Sequence, residues 1–179
     1  MIDLVQNWMV DIFSPVQLLA WIAAVIFIAS FQKQSADKTI RYWIPADVFM
    51  VLHFFFLQAP FFIMIAGGSI VRSIIAIKCS YKILISYIAV YLLLLAASLL
   101  IFDFGLREYI AFIGTLFFSA SILSKEKFFL HRGFLFGHQI TWIIAFSLLG
   151  SYGGIALISF MLISNIIGTG RYFFNSKSV

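Results

Sequence analysis

Between Lys82 and Asp103 lie twenty consecutive residues, Ile83 to Phe102, without a single formal charge. A helix needs about 20 mostly apolar residues to cross the hydrocarbon core of a bilayer, so this segment is long enough to span and too apolar to coat a soluble domain. The rest of the chain follows the same plan. Cut at its polar clusters and its Gly or Pro breaks, it divides into seven apolar segments: Val16 to Gln32, Trp43 to Leu57, Pro60 to Lys78, Ile83 to Phe102, Glu108 to Ser124, Arg132 to Leu149 and Gly153 to Phe173; the second, the shortest, carries Pro45 and Asp47, which leaves open a start a turn earlier, near Thr39. Hydrophobic residues make up 63% and charged residues 11%, against about 25% charged in ordinary globular domains, so there is no polar shell for a soluble core and too little charge for a disordered chain. The expected fold is all-α and polytopic, with seven transmembrane helices.

Basic residues collect in cytoplasmic loops close to the spans. Ten of the twelve Lys and Arg fall after the first, third, fifth and seventh segments: Lys33, Lys38 and Arg41; Lys78 and Lys82; Lys125, Lys127 and Arg132; Arg171 and Lys177. Only Arg107 lies on the other side, and Arg72 sits within the third segment. An odd number of spans keeps this alternation, which places the N-terminus outside and the C-terminus in the cytoplasm. The net charge of +5 is accounted for by these loops, so no nucleic-acid partner is implied. Met1 to Ser14 holds Asp3 and Asp11 but no Lys or Arg, which does not suit a signal peptide; Trp8, Met9, Ile12 and Phe13 suit a short segment lying in the outer interface.

Sliding the chain on itself brings out a weak duplication. At an offset of 91, Ala20 to Ala24 fall on Ala111 to Thr115, while Phe27, Ala29, Ser30 and Arg41 fall on Phe118, Ala120, Ser121 and Arg132. Later in each unit the offset drifts to 93, where Ser69 to Lys78 falls on Leu162 to Arg171. The expected organisation is an outer interfacial segment 1–15, a three-helix unit 16–82, a linker helix 83–107, a second three-helix unit 108–174 and a cytoplasmic tail 175–179. A single linker span gives both triplets the same orientation, a 3+1+3 parallel repeat about an axis along the membrane normal. The linker itself carries no charge and reads as a lipid-facing spacer.

Ionisable groups inside spans are costly and usually face a bundle interior or a wet cavity. Arg72 lies about 9 Å in from Lys78 and Asp47 about 6 Å in from Trp43 at the helical rise, so an Asp47–Arg72 ion pair is expected. The equivalent positions of the second unit, His138 and Asn165, should form its hydrogen-bonded counterpart. These four are candidates for gating or for plain structural pairing. Deeper still, His53 and Trp142 each lie about 15 Å from a helix start, near mid-bilayer, with Ser69 at a similar depth. His53, Ser69, Trp142 and Asn165 are therefore the candidate substrate-binding residues, with a packed, hydrogen-bonded role as the alternative for His53. A haem between His53 and His138 would need both at one depth, and their depths differ by about 6 Å, so no cofactor is expected. No catalytic or metal-ligating residue stands out. Cys79 is the single cysteine, and the chain lacks a carboxylate pair, a nucleophile with an adjacent base, HExxH and a phosphate loop.

His53 to Lys78 (HFFFLQAPFFIMIAGGSIVRSIIAIK), together with Trp142 to Gly154 (WIIAFSLLGSYGG) and Ser164 to Phe173 (SNIIGTGRYF), resembles the YgjV family of bacterial inner-membrane proteins. The resemblance covers the chain from about Ala20 onward and includes Phe54, Phe55, Gly150, Ser151, Gly153, Gly154 and Arg171. Two positions depart from the family pattern: Ser69 replaces an Asn and Ala145 a His. It implies an inner-membrane location and this topology, but no reaction. The 3+1+3 plan is also distantly similar to the PQ-loop and SWEET group of small-solute transporters. The Pro-Gln pair of that group is missing, the first segment ending in Ala29, Ser30, Phe31 and Gln32. The leading functional expectation is a small-solute transporter or facilitator, not an enzyme, with a small polar solute held between the two triplets. The other is a non-transporting module, an assembly partner or ligand sensor, with a solid bundle. The lipid bilayer is the expected partner in either case, and a homo-oligomer stays open.

Overall fold

The computed structural model describes residues 14–30, 36–124 and 127–175, and the regular structure in them is helical throughout. Seven helices follow in chain order: α1 (Pro15–Ser30), α2 (Ala36–Phe56), α3 (Pro60–Lys78), α4 (Tyr81–Ile101), α5 (Leu106–Leu123), α6 (Phe128–Leu149) and α7 (Tyr152–Asn175). Three of them, α3, α4 and α5, are long and apolar enough to cross a bilayer, with mean hydropathies of 1.9, 2.5 and 1.4; α1 and the Tyr152–Ile167 part of α7 are apolar but shorter. The interfacial segment expected at 1–15 and the tail at 175–179 lie almost wholly outside the described residues.

Two helices begin earlier than the charge pattern suggested. α2 starts at Ala36, before both Trp43 and the alternative start near Thr39, and carries Pro45 in its interior; α6 starts at Phe128, not Arg132. Arg41 is exposed on the second turn of α2 and Arg132 donates to Asn165 Oδ1 on α7 at 3.0 Å, so neither basic residue terminates its helix. The opposite ends of α2 and α6 close alike. After α2, Gln58 takes a positive φ of 52° and the Ala59 N–H donates to Phe54 O at 3.0 Å; after α6, Gly150 takes a φ of 72° and the Ser151 N–H donates to Phe146 O at 3.0 Å. Both are left-handed caps that satisfy a helix-end carbonyl. Pro60 then opens α3, where its missing N–H costs nothing.

Helices adjacent in sequence pack on one another, α1 closes on α7, and α3 touches α5. The result is a ring in the order α1, α2, α3, α5, α6, α7. α4 lies beside it, against α3 and α5. Its buried residues Leu84, Ile88, Tyr91, Leu95 and Ser98 recur every three or four positions, while Val90, Leu93, Leu94 and Leu100 are exposed. One stripe therefore packs and the remainder is apolar surface suited to lipid. Two tyrosines fasten that stripe: Tyr87 donates to Gly68 O at 2.8 Å and Tyr91 to Ile65 O at 3.0 Å.

The α1–α7 seam is built from small residues and one amide. Ala20 and Ala23 are fully buried, and a Cβ on Gly153 would stand 2.7 Å from that of Ala20. Gln17 of α1 donates through Nε2 to Gly150 O at 3.0 Å and accepts the Gly153 N–H on Oε1 at 3.2 Å. Its side chain thus satisfies backbone groups on both sides of the α6–α7 turn, which helix geometry would otherwise leave unpaired.

Candidate functional site

Inside the ring is a cavity of about 90 Å³, lined by residues of all six ring helices and by none of α4. This is smaller than the roughly 150 Å³ of an engineered cavity that holds benzene, so it suits a solute of a few heavy atoms. On α3 the lining runs from Ile65 to Arg72, the middle of the helix. Most of the wall is aromatic or aliphatic: Phe27, Trp43, Phe54, Phe118, Trp142 and Phe146 meet Leu157, Ile158 and Met161. Five polar residues break it, Asp47 from α2, Ser69 and Arg72 from α3, Thr115 from α5 and His138 from α6.

Arg72 is buried, with its guanidinium carbon 4.3 Å from the centre of the Phe118 ring. A cation over a ring face is held by the ring quadrupole, a contact that gains strength away from water. Nη2 donates to Ser69 Oγ at 2.7 Å, whereas Nε is buried with no partner. The Asp47 carboxyl interacts with the same Ser69 hydroxyl and with the Arg72 charge. Among the described residues, however, the only ion pair within 4 Å is Arg107–Glu108, so the direct Asp47–Arg72 pair expected from the sequence does not form. The reason is local. Ser69 stands one turn before Arg72 on the same face of α3 and takes the guanidinium first.

His138 sits 4.7 Å from Phe118 and 5.9 Å from Trp142, measured between ring centres. Its Nδ1 lies 2.9 Å from Gly114 O. A carbonyl can only accept, so Nδ1 carries a proton there, and in the neutral ring Nε2 is left as the acceptor. Trp142 lies against Gly114 as well, where any Cβ would come within 2.6 Å of the indole, and its Nε1 is buried without a partner. Gly114 is required by that close approach, not by an unusual backbone angle.

Of the four candidate substrate residues, the structure brings Ser69 and Trp142 to the cavity and places His53 and Asn165 elsewhere. His53 is fully buried near the end of α2, where Nδ1 donates to Val16 O at 2.8 Å and Nε2 accepts from Ser151 Oγ at 2.8 Å. Ser151 Oγ in turn accepts the Gly154 N–H at 3.2 Å. His53 thus ties α2 to the starts of α1 and α7. The early start of α2 explains the difference in depth. Asn165 faces α6, where Arg132 Nη1 donates to Oδ1 at 3.0 Å and Asn165 Nδ2 donates to Gln139 Oε1 at 3.2 Å. It borders a shallow groove between α6 and α7. The expected His138–Asn165 contact is therefore replaced on both sides, because Gly114 takes the imidazole and Arg132 reaches the amide.

Phe118, Gly114, Phe54 and Phe146 belong to the site although nothing chemical in the sequence singled them out. Phe118 did align with Phe27 in the duplication, and both line the cavity. Among the described residues, no group of three His, Cys, Asp or Glu side chains comes together to hold a metal ion. The family model Imp-YgjV, described as bacterial inner membrane protein, matches residues 15–176. No curated protein and no solved structure matches the chain.

Proposed function

The chain belongs to the Imp-YgjV family of bacterial inner membrane proteins, and from that premise we propose that it is a small-solute transporter or facilitator, not an enzyme, working across its central cavity. One observation carries the reading: six helices enclose an aromatic-walled space that holds Asp47, Ser69, Arg72 and His138. Buried ionisable groups around such a space are costly in a bilayer, and solute pathways are where they are retained.

In this reading all seven helices span, the N-terminus is periplasmic, and α1–α3 and α5–α7 are parallel repeats joined by α4. Several contacts support the two-fold relation. Ser30 and Ser121 stand 91 residues apart in the last turns of α1 and α5, and each bonds to the following helix: Trp43 Nε1 donates to Ser30 Oγ at 3.1 Å, and Ser121 Oγ pairs with His131 Nδ1 at 2.8 Å. The left-handed caps at Gln58 and Gly150 are 92 apart, as are Phe54 and Phe146, whose rings stack across the centre at 5.9 Å. The α5–α3 contact corresponds to the α1–α7 contact but is far smaller. Solute would sit in the cavity beside Asp47, Ser69 and Arg72, and rocking of one triplet against the other would open it alternately to the two sides.

The test is chemical access. In a Cys79→Ser background, Ser69→Cys or Thr115→Cys should react with a small charged thiol reagent added to membrane vesicles, and solutes that occupy the cavity should slow the reaction. Failure of both cysteines to react from either side would overturn transport in favour of the solid, non-transporting module.

A further inference from the structure

We propose that the cavity binds a small monocarboxylate on Arg72 together with one proton on Asp47, which makes this a proton-coupled site. The inference deepens the transporter reading and rests on it for the identity of the solute site. It starts from a charge count. Among the described residues, the formal charges lining the cavity are Asp47 and Arg72, which sum to zero. His138 adds a neutral ring fixed by its Nδ1–H on Gly114 O. From α4, Tyr87 and Tyr91 approach Arg72, but their hydroxyls are spent on the carbonyls of Gly68 and Ile65. Among the described residues, the lining from α1, α5 and α7 consists of Phe27, Thr115, Phe118, Leu157, Ile158 and Met161, with no titratable group.

In a water-poor site a net charge is expensive, so a lone anion entering this neutral space is opposed by Asp47, and a lone proton by Arg72. Anion and proton together leave the sum at zero. The hydrogen bonding points the same way. Arg72 is not locked in a direct pair with Asp47; it leans on Ser69 and keeps Nε without a partner. That donor can turn to a carboxylate oxygen. Once a solute carboxylate takes the guanidinium, the Asp47 carboxylate loses its compensating charge and accepts a proton, becoming a neutral acid that donates to the solute or to Ser69. Each cycle carries one anion and one proton, and no bond other than that O–H is made or broken. The volume of about 90 Å³ limits the anion to a few heavy atoms, and the aromatic wall accommodates its apolar end.

The experiment uses the full chain in detergent with acetate and formate as probes, acetamide as the neutral isostere, and a pH indicator in weak buffer to count protons. Wild-type protein should bind acetate saturably and take up about one proton per anion, so that its apparent Kd rises about tenfold for each pH unit above neutrality. Acetamide should not compete. Asp47→Asn, which copies the protonated acid, should bind acetate without proton uptake and without pH dependence, at an affinity equal to or above that of wild type at low pH. A variant that merely unfolded would not do this. Arg72→Gln should lose acetate binding. Binding without proton uptake, equal binding of acetamide, no binding of either anion, or proton uptake that vanishes in His138→Gln and persists in Asp47→Asn would each overturn the proposal. Cysteines that react in the cavity while acetate fails to bind would sink the coupling and leave transport standing. Coupled binding with an unreactive cavity would do the reverse.

Discussion

A buried imidazole is defined by what takes its two nitrogens, and His53 and His138 differ in this respect as well as in position. His53 has both occupied, by Val16 O and Ser151 Oγ, whereas His138 spends only Nδ1, on Gly114 O. The first is a clasp and the second retains an acceptor for the cavity. Replacing His53 by Ala would leave a carbonyl and a hydroxyl without partners at the junction of α1, α2 and α7. Each such loss costs about 1–3 kcal/mol in water-soluble proteins and about 0.6 kcal/mol on average between membrane helices. A fall of several degrees in the unfolding midpoint in detergent is expected, with reactivity at Ser69→Cys preserved. Unchanged stability with lost solute protection would return His53 to the binding site. At this scale the sequence disclosed which residues carry chemistry but not whom they meet. Ser69 could be placed near Arg72 because both lie on one helix, whereas Gly114 beneath His138 and Phe118 beneath Arg72 depend on the rotation of α5, which no single segment encodes.

Neighbouring glycines on one helix separate two roles that composition merges. In α3, a Cβ on Gly67 would have nothing within 4 Å, while one on Gly68 would strike the Tyr91 ring at 2.1 Å. Gly67→Ala should therefore be neutral or stabilising by up to about 1 kcal/mol, since Gly disfavours a helix interior. Gly68→Ala must push out a ring that is buried and hydrogen-bonded to Ile65 O. Overpacking of this kind costs typically 1–3 kcal/mol. Thermal unfolding of the two variants side by side checks the contrast, and equal midpoints would mean that α4 does not pack as described. The segments were legible at this scale because apolar length is a local property; α3 begins and ends at the expected residues, Pro60 and Lys78. The starts of α2 and α6 were not, because a basic residue reads as a loop in sequence, whereas Arg132 is held on α6 by its bond to Asn165 of α7, a tertiary contact that no single segment encodes.

At the scale of the molecule, the ring and the flanking α4 turn a linear pattern of charge into a claim about sides. Cys79 is exposed in the α3–α4 turn, between Lys78 and Lys82, and Asp103 is exposed in the turn after α4. If basic residues mark the cytoplasmic face, these two turns must lie on opposite sides of the membrane. A membrane-impermeant maleimide should then label Cys79 in inverted vesicles but not in intact spheroplasts. In a Cys79→Ser background, Asp103→Cys should show the opposite. Labelling of both positions from one side would mean that α4 does not cross, and the parallel relation of the two triplets would go with it, because only an odd number of crossings between α3 and α5 gives the triplets one orientation. Reversal of both would keep the architecture and invert its sidedness, placing the Arg72 end of α3 outside.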